Sequence, residues 1–555
     1  MPTGLREQFR ESGRAFAAVF RNPNLRWVEV SWSLTVCAYW IYIVALGFYA
    51  YQRGGATAVG LVGLLRVLPS VVAAPFGGIL GDRYRRDRVI VGVNVGRSMT
   101  IAGAAAAVYL SAPAGIVYAL ASLMGLLQSV FRPTQTALLP LLARTPQELT
   151  ASNLVLTTVE SVGVFAGPAI GGGLLAVTGI DTTFAITASV FLLGALLLTR
   201  VSSPAAQQPA GPQKSFLREA FVGFGTVAHD ARLRLIISLY GVQTLVGGAM
   251  NVLIVVMALR TLDLGRSGIG YLNSAWGLGG FLGGFAAIGL VARPRLGSAL
   301  GLGLVFAGLP MAGIALLPYA GAAVVFLAFV GVGITVVDVA GVTLLQRTIP
   351  DHVLSRVMGV VQSVFVGTLG LGAIIAPGLI ALVGDRGTLA IVGATSPAVA
   401  ALAWGWLRGL DAESAEAPAN VGVLRGIDIF RPLPPAVVEQ LAHAAKTYTT
   451  PAGEAVVQQG EPGDRFYIIL AGEADVLVDG VERQGLAAGG YFGEIALLRD
   501  VPRTATVVAR TALTLLGIDR DDFITAVTGY PESAEAADAV VATRLGSMRP
   551  DVASV

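Results

Sequence analysis

Along the first four hundred residues, apolar positions run in long blocks, and polar residues are confined to the breaks between them. A helix needs about 20 apolar residues to cross a bilayer. Windows of that kind stand roughly at 27–50, 58–80, 89–110, 114–140, 152–176, 181–199, 235–259, 267–291, 297–317, 321–345, 356–383 and 388–407, which predicts twelve transmembrane helices. Beyond Arg408 the pattern changes. Short runs such as "EAVVQQGEPGD", "RFYIILAGEADVLVDG" and "ATVVARTALTLLGI", broken by turn residues, predict a small soluble barrel or jelly roll. An amphipathic segment, "PPAVVEQLAHAA", precedes these strands, and helical segments from Asp521 onward close the domain.

The apolar blocks form two sets. "LREQFRESGRAFAAVFRNPNLR" from Leu5 resembles "LREAFVGFGTVAHDARLR" from Leu217, and "LLARTP" before the fifth helix echoes "LLQRTIP" before the eleventh. A Pro/Gln/Ala segment, "SSPAAQQPAGPQK", lies between the halves. Six helices repeated is the usual plan of a secondary transporter that rocks about a central site.

Composition agrees. The 555 residues are 54% hydrophobic and 13% charged, where a soluble chain carries about 25% charged residues. Residues 1–410 hold 27 Lys/Arg against 14 Asp/Glu, and residues 411–555 hold 11 against 21. The acidic tail excludes nucleic acid as an expected partner, since that needs a basic surface. Arginines cluster in the breaks on one side (Arg83 to Arg88, Arg144, Arg200 to Arg234, Arg293 and Arg295, Arg347), so the positive-inside rule predicts both termini in the cytoplasm of a multi-pass cell-membrane protein. No cleavable signal pattern is expected. The lone Cys37 and the scattered His229, His352 and His443 make no metal motif, so no metal is expected.

Two motifs sharpen this picture. "GGILGDRYRRDR", Gly77 to Arg88, resembles the loop 2–3 signature of the major facilitator superfamily, with Gly78, Asp82, Arg83 and Arg86 in place. Arg85 stands where the family usually has glycine. The resemblance implies a conformational latch through Asp82; a topology signal is the plainer alternative. "GVFAGPAIGG" resembles the glycine-proline motif in helix five of the superfamily's antiporters, through Gly163, Gly167, Pro168, Gly171 and Gly172. Glycines spaced this way let another helix approach closely, and generic helix packing is the alternative. "FRPTQTALLPLL" with "ELTASN" resembles the drug- and siderophore-exporter branch.

Ionisable residues inside membrane helices are costly and therefore functional candidates. Glu29, Glu160 and Asp338 are the candidates for proton coupling, with Arg66, Arg97 and Arg132 as possible static partners.

The tail resembles the cyclic nucleotide-binding domain of bacterial regulators, kinases and gated channels, over about residues 426–545. Gly460, Gly463, Asp464 and Gly472 match its strand-turn-strand entry. "YFGEIALLRDVPRTATVV" matches its phosphate-binding cassette. The resemblance assigns nucleotide binding to Gly493, Glu494, Ile495, Ala496, Arg503, Thr504 and Ala505. Glu494 is to take the ribose hydroxyl and Arg503 the cyclic phosphate, with cAMP favoured over cGMP.

The expected fold class is an all-α polytopic membrane domain of 12 transmembrane helices in a 6+6 pseudo-symmetric major facilitator fold, plus a small soluble β-roll domain with flanking helices. The expected organisation is a transporter domain at 1–410, with helices 1–6 at about 27–199, a cytoplasmic linker at 200–234 and helices 7–12 at about 235–408. A linker at 411–425, a nucleotide-binding domain at 426–545 and a tail at 546–555 follow. The expected function is not enzymatic. It is secondary transport: proton-coupled export of a small amphipathic molecule across the lipid bilayer, regulated by cyclic nucleotide. The alternative is a membrane receptor that senses the nucleotide and transports weakly or not at all.

Overall fold

The computed structural model describes residues 19–83, 85–202, 224–291, 295–349, 351–415 and 420–548. The basic segment from Leu5 and the central part of the inter-half linker lie outside the described residues. So do the side chains of Gly78, Asp82 and Arg83. The chain forms two compact units, Met1–Asp411 and Ala412–Val555.

The first unit is helical throughout its described length. A helical stretch Pro23–Arg83 is broken at Gly54–Gly55 into α1 and α2. Gly55 takes a φ of 60°, a left-handed conformation that disfavours other residues. Then follow α3 (Arg86–Tyr109), α4 (Ala114–Leu142), α5 (Pro146–Val177) and α6 (Ile180–Leu198). The second half has α7 (Ala231–Val256, continued as a π-helical turn to Thr261), α8 (Gly265–Val291), α9 (Leu296–Leu316) and α10 (Ala320–Thr348). The stretch Asp351–Ala415 is broken at Gly384, at φ 76°, into α11 and α12. Local chemistry sets the starts. Thr145 caps α5 by accepting from the Glu148 N–H, and Asp230 caps α7 by accepting from Arg232 and Leu233.

Apolar side chains line the outside of these helices as well as the core. Val177, Leu316 and Leu382 are each 81% exposed. Exposed leucines and phenylalanines continue along α4, α6, α8, α9 and α10, which suits hydrocarbon and not water.

Two close seams are prominent between the halves among the described residues. On α5, a Cβ at Gly172 would sit 2.7 Å from Ser267 O and 2.9 Å from Gly270 Cα of α8, and one at Gly277 2.6 Å from Val164 O. The same α5 stretch packs on α1: a Cβ on Gly167 would meet Trp40 Cβ at 2.6 Å, and one on Gly171 would meet Ile41 Cα at 3.0 Å. The second seam joins α2 to α11, where a Cβ on Gly60 would lie 2.3 Å from Ala373 O. Successive helices alternate in direction, so both seams lie toward the face remote from the start of α1.

The second unit is a β-roll of two four-stranded antiparallel sheets. The strands are β1 (Lys446–Thr450), β2 (Ala455–Val457), β3 (Arg465–Ala471), β4 (Ala474–Val478), β5 (Val481–Leu486), β6 (Tyr491–Phe492), β7 (Thr506–Ala509) and β8 (Leu513–Asp519). Their orders are β1-β8-β3-β6 and β2-β7-β4-β5. Helices α13 (Val421–Arg425) and α14 (Pro435–Ala444) precede the strands; α15 (Glu494–Leu498) follows β6; α16 (Arg520–Thr528) and α17 (Pro531–Met548) close the domain.

Strand alternation divides two cores. Phe466 and Ile468 of β3, with Leu516 and Ile518 of β8, face the helices, where Phe466 stacks on Phe523 of α16 at 4.7 Å. Tyr467 and Ile469, with Leu513 and Leu515, fill the roll. Two residues of the expected linker do structural work. Leu424 of α13 is fully buried in the helix-side core. Asp411 is buried against the start of α9.

Candidate functional site

The cassette lies between β6 and β7. Gly493 ends β6 with a φ of 96°, and a Cβ there would meet Arg503 Nη1 at 2.5 Å and Arg465 O at 2.9 Å. Only glycine fits the conformation and the space together. The chain then turns into α15, which buries Ile495 and Ala496 and leaves the cassette backbone on the pocket wall.

Arg503 returns beneath this turn. Its side chain is 3% exposed. Nη2 donates to Asp464 Oδ1 at 3.0 Å and to Arg465 O at 2.9 Å, and Nη1 donates to Gly493 O at 3.3 Å. The backbone is tied as well: Arg503 N donates to Glu461 O at 2.7 Å, and Gly460 N donates to Arg503 O at 2.9 Å. The "GEPGD" turn therefore positions the arginine from a distance of about forty residues, with Asp464 as its counter-charge. A guanidinium held this way presents fixed donors to an anion.

Glu494 is 1% exposed. Its Oε1 accepts from Arg544 Nη1 at 2.8 Å, and Arg544 Nη1 also donates to Tyr491 O at 2.9 Å while its guanidinium lies 4.4 Å from the Tyr491 ring centre. Burial pushes the Glu494 carboxyl up from the ordinary glutamate range, with Arg544 pulling the other way. Arg544 is on α17, and the sequence reading did not single it out. No motif surrounds it.

These groups line one open pocket. Val457, Val476, Leu486 and Val507 form its apolar wall. Gly493 to Ala496 and Arg503 to Ala505 line it opposite, with Gln484 and Arg544. All seven expected nucleotide residues line it. A flat aromatic group against the valines and an anion at Arg503 are the chemistry this arrangement can hold.

The membrane candidates are dispersed. Glu160 is paired with Arg132 at 3.0 Å. Glu29 on α1 is buried beside Ser152 of α5, and Asp338 on α10 faces Tyr240 of α7. Neither belongs to an ion pair among the described residues. Arg97 is buried, bonded to Gln128 at 2.6 Å and Asn94 at 3.3 Å, and packed 4.0 Å from the centre of the Phe131 ring. Among the described residues, static pairing of these acids with these arginines holds for Glu160 with Arg132. Arg86 of the loop motif donates to Ala137 O of α4 at 2.7 Å, tying α3 to its neighbour. Trp32 stacks on Phe131 and Tyr42 packs against Phe184, so these aromatics are core.

A helical membrane unit with two pseudo-equivalent seams, followed by a β-roll with an anion-ready pocket, defines a multi-pass carrier with an appended ligand-binding domain. The chain belongs to the Major Facilitator Superfamily, whose model matches residues 31–370. The model of the Cyclic nucleotide-binding domain matches residues 449–530. Among relatives, a cAMP-dependent protein kinase regulatory subunit of Emericella nidulans is 39% identical over 102 residues, 18% of this chain and 25% of that protein. A cyclic nucleotide-gated potassium channel of Mesorhizobium japonicum is 35% identical over 116 residues, 21% of this chain and 32% of that protein. The chain spans a quarter to a third of the length of these relatives. Among solved structures, the regulatory domain of Toxoplasma gondii PKA crystallised with cAMP is 26% identical, at a TM-score of 0.22, covering 24% of this chain and 52% of that one.

Proposed function

We propose that this protein is a proton-coupled exporter of a small amphipathic molecule whose activity is set by a cyclic nucleotide, cAMP favoured, bound to its C-terminal domain. The observation that supports the regulatory half is Arg503, held by Asp464 and the carbonyls of Arg465 and Gly493 in the lining of one pocket. The cyclic phosphate sits at Arg503 and the cassette turn, the ribose 2′-hydroxyl donates to Glu494, and the purine lies against the valine wall. Thr504 and Ala505 complete the cassette. An apolar wall opposite a few convergent polar groups is the usual design of such sites.

For the transport half, the support is the close α5–α8 seam built by Gly172 and Gly270 beside Pro168. With both termini cytoplasmic, the two seams lie toward the outer face. Rocking about the seams exchanges access. Glu29 and Asp338 supply carboxylates that belong to no ion pair among the described residues, and Glu160 one that a substrate or proton can detach from Arg132. Asp82 and Arg83 act as the cytoplasmic latch.

The test of coupling uses proteoliposomes under an imposed pH gradient, with a panel of cationic, neutral and anionic dyes and an internal pH probe. At least one of Glu29→Gln, Glu160→Gln and Asp338→Asn should abolish proton-driven flux in a protein that remains folded. Full pH-dependent transport in all three variants would remove proton coupling through these acids. Absence of flux in the wild type, with nucleotide binding intact, would favour a sensor.

A further inference from the structure

Asp411 is the last residue of the membrane unit, and Ala412 is the first of the next. Its carboxylate is buried and reaches across to the first turn of α9. It accepts the backbone N–H of Gly297 at 2.7 Å, the N–H of Ser298 at 2.9 Å, and the Ser298 hydroxyl. Arg295, the residue that precedes α9, supplies no side-chain cap of its own. The free N–H groups at this helix start therefore take their acceptor from a residue 114 positions away. A negative charge there also suits the helix dipole.

The clasp is stiff. A Cβ on Gly297 would stand 2.3 Å from Leu407 O, and one on Gly301 would stand 2.8 Å from the Trp404 ring, so α12 and α9 touch backbone to backbone just before Asp411. From α9 the contact continues into α10. A Cβ on Gly303 would meet Val337 at 2.8 Å, and one on Gly333 would meet Ala307 N at 2.3 Å. Asp338 follows Val337. A contiguous packed path thus leads from the covalent exit of the membrane unit to a buried carboxylate, of the kind through which coupling travels. At the start of α3 the residue before the helix supplies no side-chain cap, and Asp87 of the first turn pairs locally with Arg85 at 2.9 Å.

Only nine residues, Ala412 to Asn420, separate the clasp from α13, whose Leu424 is buried in the core of the C-terminal domain. A chain of that length spans at most about 30 Å. A displacement of α13 beyond that reach must pull on Asp411.

We propose that Asp411 is the transmission point through which ligand binding in the C-terminal domain acts on the transporter: tension or twist at Ala412 changes the occupancy of the Asp411–α9 clasp and so the setting of α9 and α10. This rests on the nucleotide-binding reading above. Asp411 is here a positioning residue; it touches neither ligand nor transported molecule.

The experiment uses the full-length chain in lipid nanodiscs. Calorimetry establishes saturation by cAMP, and hydrogen exchange is then followed in peptides spanning Leu296–Leu300, with and without saturating cAMP. The expected result in the wild type is a change of at least about fivefold in exchange at Gly297 and Ser298, the lower end of usual coupling factors, with the start of α3 at Val89–Val91 unchanged. In Asp411→Ala, exchange at Gly297 and Ser298 should be fast and indifferent to cAMP while cAMP still binds. Asp411→Asn, which keeps the side-chain shape and loses the charge, carries the same comparison if the alanine variant does not fold. Calorimetric saturation with unchanged exchange at Gly297 and Ser298, or an equal change at α3, would overturn the clasp. Absence of any cAMP binding would instead overturn the ligand reading, and the clasp with it.

Discussion

Arg503 is the residue on which the pocket's chemistry turns. It is buried, its carbonyl partners are fixed, and its counter-charge Asp464 is more than half exposed. An incoming phosphate competes with that exposed carboxylate, not with a buried ion pair. Arg503→Ala removes a charged hydrogen bond worth about 1.5–3 kcal/mol. Affinity for cAMP should fall by about one to two orders of magnitude in calorimetry on the full-length protein, and unchanged affinity would remove the phosphate assignment. Glu494 gives a second residue-level prediction. Burial raises its pKa, and a donated ribose hydroxyl favours the charged form. Binding therefore expels a proton when the carboxyl is protonated. Affinity should weaken as pH falls, beginning above the ordinary glutamate value of about 4.3, and Glu494→Gln should flatten that profile. A wild-type profile already flat across this range would contradict the role given to Glu494.

At this scale legibility followed locality. Gly493, Glu494 and Arg503 lie within eleven positions of one another, and a short motif names them. Arg544 contacts Glu494 from fifty positions away, on a helix that the sequence marks only as closing the domain. Asp411 looked like the first charge of an acidic linker, because capping of α9 is set by how α12 packs and by nothing in its neighbours.

At the scale of elements, the period of glycines on α5 predicted close approach, and the structure names what approaches. Gly163, Gly167 and Gly171 face α1, whereas Gly172 faces α8. One stretch thus serves two interfaces, which spacing alone could not divide. Gly167 also stands against Cys37 O at 3.0 Å, beside the single, half-buried cysteine of the chain. Gly167→Leu must push α1 away from α5 at that point. The rate of maleimide labelling at Cys37 should rise several-fold and transport should fall. Unaltered labelling and unaltered transport would show that the seam tolerates a side chain and is not the pivot. In the β-roll, short apolar runs between turn signals were enough to foresee strands, and the two cores show why. β3 and β8 are buried on both faces, one against helices and one against the barrel.

For the whole molecule, the division into a membrane unit and a ligand domain came from composition and charge, since a bilayer and water select different residues. How one unit addresses the other is not written in any local pattern. A chain ending at Ala415, which keeps Asp411, should fold and transport at a fixed rate with or without cAMP, as measured by dye flux in proteoliposomes. A chain ending at Leu410 loses the clasp and should differ from it in rate. Equal rates in the two truncated forms would count against Asp411.

The most direct measurement is flux by the full-length protein across a cAMP titration, beside Arg503→Ala, in the same vesicles in which calorimetry shows the domain saturating. Couplings between sites are typically about 1–3 kcal/mol. The predicted result is a saturable change in rate of several-fold to about a hundredfold, following the binding curve and displaced to higher cAMP in Arg503→Ala. A rate that stays flat while the domain fills would contradict regulation of transport by this domain.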